Sequence, residues 1–471
     1  MRIFKLRAFA MAFPLMLLAN FGFAQTQTIS LDNLSAFKNP KKNWAIVGGL
    51  MTDLSQNDAI KSTKGTGILF CSSSQKNHGS DLFTNEQFGN IVVELDYLMA
   101  KGGNSGIYLQ GNYEIQLEDS WGYKNPTSAN NGGVYGRWDA SRPEGEEVVG
   151  GFAPRQNVSK APGLWQHLKI VFQAPTFDGS GSKTANAKIL QVALNGVVIH
   201  ENIELVGPTR GNVGKEVAMA PLRLQGDHGS VAFRNISVKP FQDMAMQEQR
   251  GGADPIYIEA NSNVNLRSFV PLENNVLAPH GISVGGPEQV SFSYDLDKGM
   301  LMKAWHGQFL ETTAMWDGRG NGTSKPEGNV TYFTKQLIPS VAMLKGSNDT
   351  WPKDTVGSGY KPKGYVMDAE DRPEFKYITY GTKINDAIKA MPDGHGLNRE
   401  ISTDKSSKDL YLLLANATDI QEVEKGLYVL NDKSYYIKIN EANGKPIIRD
   451  NNGMKQLIMP IGSKLNYSIL F

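Results

Sequence analysis

The residues with the most chemical capacity crowd into positions 102–120, GGNSGIYLQGNYEIQLEDS. Read as two strands around Gly111 and Asn112, this segment is a hairpin whose side chains alternate faces. Glu114, Gln116 and Glu118 then share one face, and Ile115 and Leu117 the other. A carboxylate, an amide and a carboxylate in a row can bracket the hydroxyls of a polyhydroxylated ligand, because they offer both acceptors and donors. One-sided sheets show the same alternation on a merely solvated face, and the pattern alone favours that plainer reading. A three-residue loop over Gly111–Tyr113 would pair Gln110 with Glu114 and Tyr108 with Gln116, keeping polar with polar. Tyr108, Gln110, Glu114 and Gln116 would then line one surface.

A second cluster is Leu222-Arg223-Leu224-Gln225-Gly226-Asp227-His228-Gly229. A loop histidine beside a carboxylate can act as general base or acid near neutral pH, or it can simply bond backbone in a turn. The polar stretch from Asp119 to Gly151 holds Trp121, Tyr123, Tyr135 and Trp138. Aromatic faces beside carboxylates can stack a sugar ring, although ordinary loop packing explains any single one of them. Glu114 and Glu118 make a poor pair for two-carboxylate glycoside hydrolysis. Four residues along a strand span about 13 Å, against roughly 5 to 9.5 Å for such pairs. The seven histidines (78, 167, 200, 228, 280, 306 and 395) are scattered, with no close ligand pair. The sequence predicts no cofactor and leaves a metal ion open. It has neither a glycine-rich phosphate loop between strand and helix nor a G-x-S-x-G elbow.

The elements that must position these residues read as strands. Asn90–Tyr97, His167–Phe172 and Ile189–Leu194 are strand-sized and mostly β-branched, and Asn195-Gly196 closes the last of them as a turn. Val231–Pro240 ends this block. Many short strands with turn signals predict an all-β sandwich or jelly roll. Positions 242–255 are polar, carry Gly-Gly and read as a linker. Beyond them Gln289–Asp295, Met300–Trp305 and Leu427–Lys438 again look like strands, turning at Asp297-Lys298-Gly299 and Asn431-Asp432. Gly318–Gly322 and Lys345–Gly364 read as long loops. The expected organisation is a signal peptide at 1–24, a jelly roll at 28–241, a linker at 242–255 and a second β-rich domain at 256–471.

Composition narrows the function classes. With 48 Lys+Arg against 47 Asp+Glu over 471 residues, no chain-wide basic footprint for nucleic acid exists. One cysteine cannot form an internal disulfide. Cys71 follows Ile68-Leu69-Phe70, which predicts a buried thiol. Met1–Ala24 has a basic start, an apolar stretch broken by Pro14, and Gly22-Phe23-Ala24 before Gln25. This is a secretory-signal pattern, and it predicts a periplasmic or secreted protein. No later stretch approaches the roughly 20 apolar residues of a membrane span. Nothing in the sequence fixes an oligomeric state.

Taken in order, these segments resemble one family, the domain of unknown function 1080, also called the 3-keto-disaccharide hydrolase domain. The resemblance runs through Gly103–Tyr108, Tyr113–Gln116 with Asp119-Ser120, and Gly133–Gly136. It continues through Gly163–Gln166, Leu194–Gly196, Glu204–Thr209, Leu224–Gly229 and Phe233–Ile236, spanning about Lys41–Phe241. It implies a concanavalin-like jelly roll, related in shape to family 16 glycoside hydrolases. It also implies an exported enzyme cleaving 3-keto-glycosides, with a sugar or keto-sugar as partner. A ketone at C3 acidifies the C2 hydrogen, so a base can remove it and the C1 substituent can leave. Glu114, His228 and Asp119 are the candidate catalytic residues, with base and acid interchangeable between Glu114 and His228. Asn104, Tyr108, Gln110, Gln116, Trp121, Tyr135 and Gln225 are the candidate substrate-binding residues. Relatives often carry an Arg where this chain has Gln110-Gly111-Asn112. The second half resembles, less sharply, a β-sandwich segment of exported proteins from bacterial sugar-catabolism clusters, some fused to cytochrome c. The stretches concerned are His280–Gly285, Ala304–Phe309 and Trp316–Gly320. No C-x-x-C-H haem motif is present. The competing reading is a carbohydrate-binding protein without turnover.

Overall fold

The computed structural model describes residues 26–74, 76–241, 254–316, 318–346, 348–451 and 453–471. The expected signal peptide and nearly all of the expected linker lie outside the described residues. Apart from one 3-10 turn at Thr313–Met315, every regular element among the described residues is a β-strand.

The alternation read from the sequence builds two facing sheets in the first half. The larger runs in the order Val197–Leu205, Ala187–Leu194, Gln166–Gln173, Ile91–Met99, Val231–Pro240, Ile60–Cys71 and Trp44–Thr52, with Gln27–Thr28 added beside Val231–Pro240. The smaller runs Phe37–Lys38, Leu82–Phe88, Ala220–Leu224, Asn104–Leu109 and Tyr113–Glu118. Their inner faces share one apolar core, to which the site hairpin contributes Ile107, Leu109, Tyr113, Ile115 and Leu117. This is a jelly-roll sandwich of antiparallel sheets. Asn195 and Gly196 both adopt positive φ (52° and 83°) between the paired residues Leu194 and Val197, the backbone that an Asn-Gly hairpin turn requires. Cys71 is fully buried, and burial raises its thiol pKa.

The hairpin register differs from the expectation. Tyr108 pairs with Glu114 and Leu109 with Tyr113, so the loop is Gln110–Asn112. The decisive residue is Tyr113. Its ring is buried in the core 5.5 Å from Phe172, and a loop over Gly111–Tyr113 would forfeit that burial. The shift is by two positions, so Tyr108, Glu114 and Gln116 keep their common face.

The second half forms a six-stranded and a ten-stranded antiparallel sheet around a separate core. The expected turns at 297–299 and 431–432 separate Val290–Asp295 from Met300–Glu311 and Leu427–Leu430 from Tyr435–Ala442. The long loop expected over Lys345–Gly364 ends early, because a strand begins at Lys361. The halves also touch. Ala161 and Leu164 pack with Leu427, Val429, Tyr436 and Leu470, and Tyr436 donates to the Pro162 carbonyl (3.0 Å).

Candidate functional site

Side chains of the hairpin that turn away from the core meet three loops over a cavity of about 220 Å³. The hairpin supplies Asn104, Tyr108, Glu114 and Gln116. The segment after Leu224 adds Gln225 and His228, and Tyr135, Arg210 and Gly211 close the remaining wall. Backbone pairing explains how distant segments converge here. Tyr135 N–H bonds the Glu114 carbonyl (3.1 Å), and Gln225 N–H bonds the Gly106 carbonyl (2.9 Å). Thr209 Oγ1 accepts the Glu114 N–H (3.2 Å) and donates to the Asn112 carbonyl (3.1 Å).

Glu114 is the buried acid of this cavity, 3% exposed. Its carboxyl lies over Gly106. A Cβ at position 106 would stand 2.3 Å from Oε1, so only glycine leaves the space. Burial pushes the Glu114 pKa up to about 7, against the favourable effects of the Tyr108 hydroxyl and the Arg223 charge. Asp81 and Asp227 push the same way as burial. Such a carboxyl exchanges its proton near neutrality, as a general base must.

Arg223 is buried beneath the wall and ties it together. Its guanidinium pairs with Asp81 at 2.6 Å, donates to the Gly211 carbonyl at 2.6 Å and lies 4.0 Å over the Tyr108 ring. The other oxygen of Asp81 accepts the Gly226 N–H (2.9 Å). One ion pair thus fixes both loops that bring Arg210 and His228 to the cavity.

His228 is half exposed, with Nδ1 2.5 Å from Asp227 Oδ1 and 3.4 Å from Gln225 Nε2. The ring of His78 meets it edge-on at 6.2 Å. Gln225 Oε1 is buried without a hydrogen-bond partner among the described residues. A ligand hydroxyl would satisfy it.

Three residues expected at the site are elsewhere. Gln110 sits in the loop at positive φ (54°), with its amide donating to the carbonyls of Phe88 (3.1 Å) and Ala218 (3.0 Å). It holds the loop rather than lining the cavity. The Asp119 carboxylate accepts the N–H groups of Gly102 (2.8 Å) and Trp121 (3.4 Å), which is a turn-forming role. Trp121 stacks on His395 of the second half (3.8 Å, 11°) and donates to the Phe471 carbonyl (2.9 Å). Glu118 is partly buried and receives bonds from Ser120 and Asn130. Sequence reading missed Arg210 and Gly211. Both lie in a loop some hundred residues beyond the hairpin, and no local pattern announced them. Among the described residues no group of three or more His, Cys, Asp or Glu side chains could hold a metal ion.

Every residue of this cavity falls inside one recognisable stretch. Residues 30–239 match the family model of the 3-keto-alpha-glucoside-1,2-lyase-like domain. That is the family expected from the ordered motifs, and the match supports a carbohydrate-active function. Two solved structures of candidate glycosyl hydrolases from Parabacteroides distasonis are similar to the chain. One is 22% identical, covering 45% of this chain and 84% of its own, with a TM-score of 0.28. The other is 19% identical, covering 46% and 100%, with a TM-score of 0.30. A carbohydrate-binding module of Bacillus subtilis is 11% identical over 42% of this chain and 95% of its own, with a TM-score of 0.20. No curated protein matches the chain.

Proposed function

We propose that the protein cleaves 3-keto-glycosides by β-elimination, with Glu114 as the base. The observation that carries this reading is a buried carboxyl with pKa near 7, facing a polar cavity within the matched domain. Glu114 takes the proton from C2. The C2–H pair becomes an enolate delocalised onto the C3 oxygen. That charge returns to form the C1–C2 double bond as the C1–O bond breaks, and the leaving oxygen receives a proton. His228, half exposed and lining the same cavity, supplies it. Addition of water across C1–C2 then gives net hydrolysis. Gln116, Asn104 and Gln225 hold hydroxyls, and Gln225 Oε1, buried without a partner among the described residues, can accept one. The signal-like first 24 residues support export to the periplasm or beyond, which N-terminal sequencing of the exported protein tests by a start at Gln25.

The test is aglycone release from a 3-keto-glucoside and from the matching ordinary glucoside, with a chelator-treated sample alongside. Release from the keto form alone, abolished in Glu114→Gln, is the expected result. Release from the ordinary glucoside would replace elimination by a two-carboxylate mechanism. Sugar binding without release from either would make the protein a binding module. Loss of activity with chelator would add a metal to the site.

A further inference from the structure

An enolate formed at this site places negative charge on an oxygen, and the cavity must meet that charge with a cation or a donor. Two of the residues that line the cavity carry side chains that can be cationic, His228 and the exposed Arg210. His228 already faces the Asp227 carboxylate at 2.5 Å. Arg223 does not line the cavity, and Asp81 neutralises it. Arg210 differs from both. Among the described residues its guanidinium meets no carboxylate and no hydrogen-bond acceptor, yet its backbone is pinned. Arg210 N–H bonds the Gly136 carbonyl (2.8 Å), and the Arg210 carbonyl lies 3.4 Å from the Tyr108 hydroxyl oxygen. Only the Trp138 ring supports the charged end, 4.6 Å from the guanidinium carbon. A cation–π contact orients a guanidinium without consuming any of its N–H donors. Trp138 is itself 47% exposed and pairs across a short hairpin with the exposed Val148; it stands outside the residues that line the cavity, so it holds the guanidinium from the solvent side.

We propose that Arg210 is a catalytic residue, the cation that holds the C3 oxygen as the enolate forms. This rests on the elimination reading above and assigns the one charge that reading leaves unmet. Arg210 acts on the first half of the reaction, when the C2–H bond breaks. His228 acts on the second, when the C1–O bond breaks and the leaving oxygen takes its proton.

The halves separate experimentally on a 3-keto-1,5-anhydrohexitol. It has the ketone and the C2 hydrogen but no aglycone at C1, only the ring oxygen that the glycoside also keeps, so in deuterium oxide it reports enolisation without aglycone loss, as C2–H exchange by NMR. Wild type should exchange C2–H. Arg210→Gln should slow exchange by about 10²–10³-fold, the usual loss for one oxyanion donor. Arg210→Lys, which keeps the charge, should recover part of it. Trp138→Leu should slow exchange less than Arg210→Gln, since the cation remains but loses its support. His228→Gln should exchange near the wild-type rate while losing aglycone release from the 3-keto-glucoside. Thermal unfolding midpoints within a few degrees of wild type establish that each variant is folded. Wild-type exchange rates in folded Arg210→Gln would overturn the role of Arg210 and leave the elimination reading standing. Absence of both exchange and aglycone release in wild type would overturn the elimination reading and this inference with it.

Discussion

Glu114 titrates near neutrality because folding removes water from a carboxylate and returns only partial compensation through Tyr108 and Arg223. Two predictions follow from the sign of that shift. The base form grows as pH rises through about 7, so aglycone release should rise with pH over that interval, read from initial rates. Folding stability moves the other way. A carboxyl whose pKa is raised from 4.5 to about 7 in the folded state is ionised more readily in the unfolded chain. Its cost is absent below about pH 4.5 and grows as pH climbs towards 7. Glu114→Gln should therefore abolish turnover yet stabilise the protein at pH 8, with a ceiling of about 3 kcal/mol for that shift. The gain should vanish below pH 5, as chemical denaturation at the two pH values will show. Gly106 belongs to the same account. Gly106→Ala places a methyl where Oε1 now sits, so it should displace the carboxylate and cost activity with little loss of fold.

At the scale of elements, the site is a hairpin face, three loops and the ion pair beneath two of them. The hairpin was legible in the sequence. Alternation over 113–118 fixed which side chains share a face, and a register error of two positions left that sharing intact. Matching polar with polar misplaces the loop because Tyr113, whose buried ring decides where the loop closes, carries no weight in that rule. The loops were less legible. The Gln225–His228 loop carried a visible His–Asp pair. Arg210 lay in a loop with no periodicity, and long-range backbone bonds bring it to the wall. The Arg223–Asp81 pair links these loops and also tunes Glu114 with opposite signs, since Arg223 lowers its pKa and Asp81 raises it. Arg223→Met should thus move the rising limb of the pH–rate profile to higher pH, and Asp81→Asn should move it to lower pH. Either change breaks a largely buried ion pair, and a loss of about 3 kcal/mol in stability is expected. A limb that stays in place in both variants would show that the pair holds the loops without reaching the carboxyl.

At the scale of the whole molecule, the second half bears on the site through the segment that follows the Glu114 strand. Trp121 and Asp119 were expected to meet ligand because an aromatic beside a carboxylate suits a sugar. That local pattern cannot distinguish a ligand from a neighbouring domain. Here the neighbour takes the aromatic. Trp121 lies flat on His395, its indole N–H is bound by the Phe471 carbonyl, and Gly122 abuts the Asp393 carbonyl. The Phe471 ring is fully buried and tilted against His306 at 4.4 Å, while His306 Nε2 lies 2.8 Å from the Gly394 carbonyl. The last residue of the chain and the 391–396 turn thus form one packed unit that grips the 119–122 segment. Phe471→Ala empties a filled position in that unit and should destabilise the protein by about 3–5 kcal/mol, measured by urea denaturation. Its effect should reach the first half through Trp121. The variant should show lowered amide hydrogen-exchange protection at 119–123 as well as around 391–396, with the Ile107 and Ile115 core strands unaffected. Protection lost only around 391–396 would mean that the halves pack without coupling. The site hairpin would then stand on the jelly roll alone.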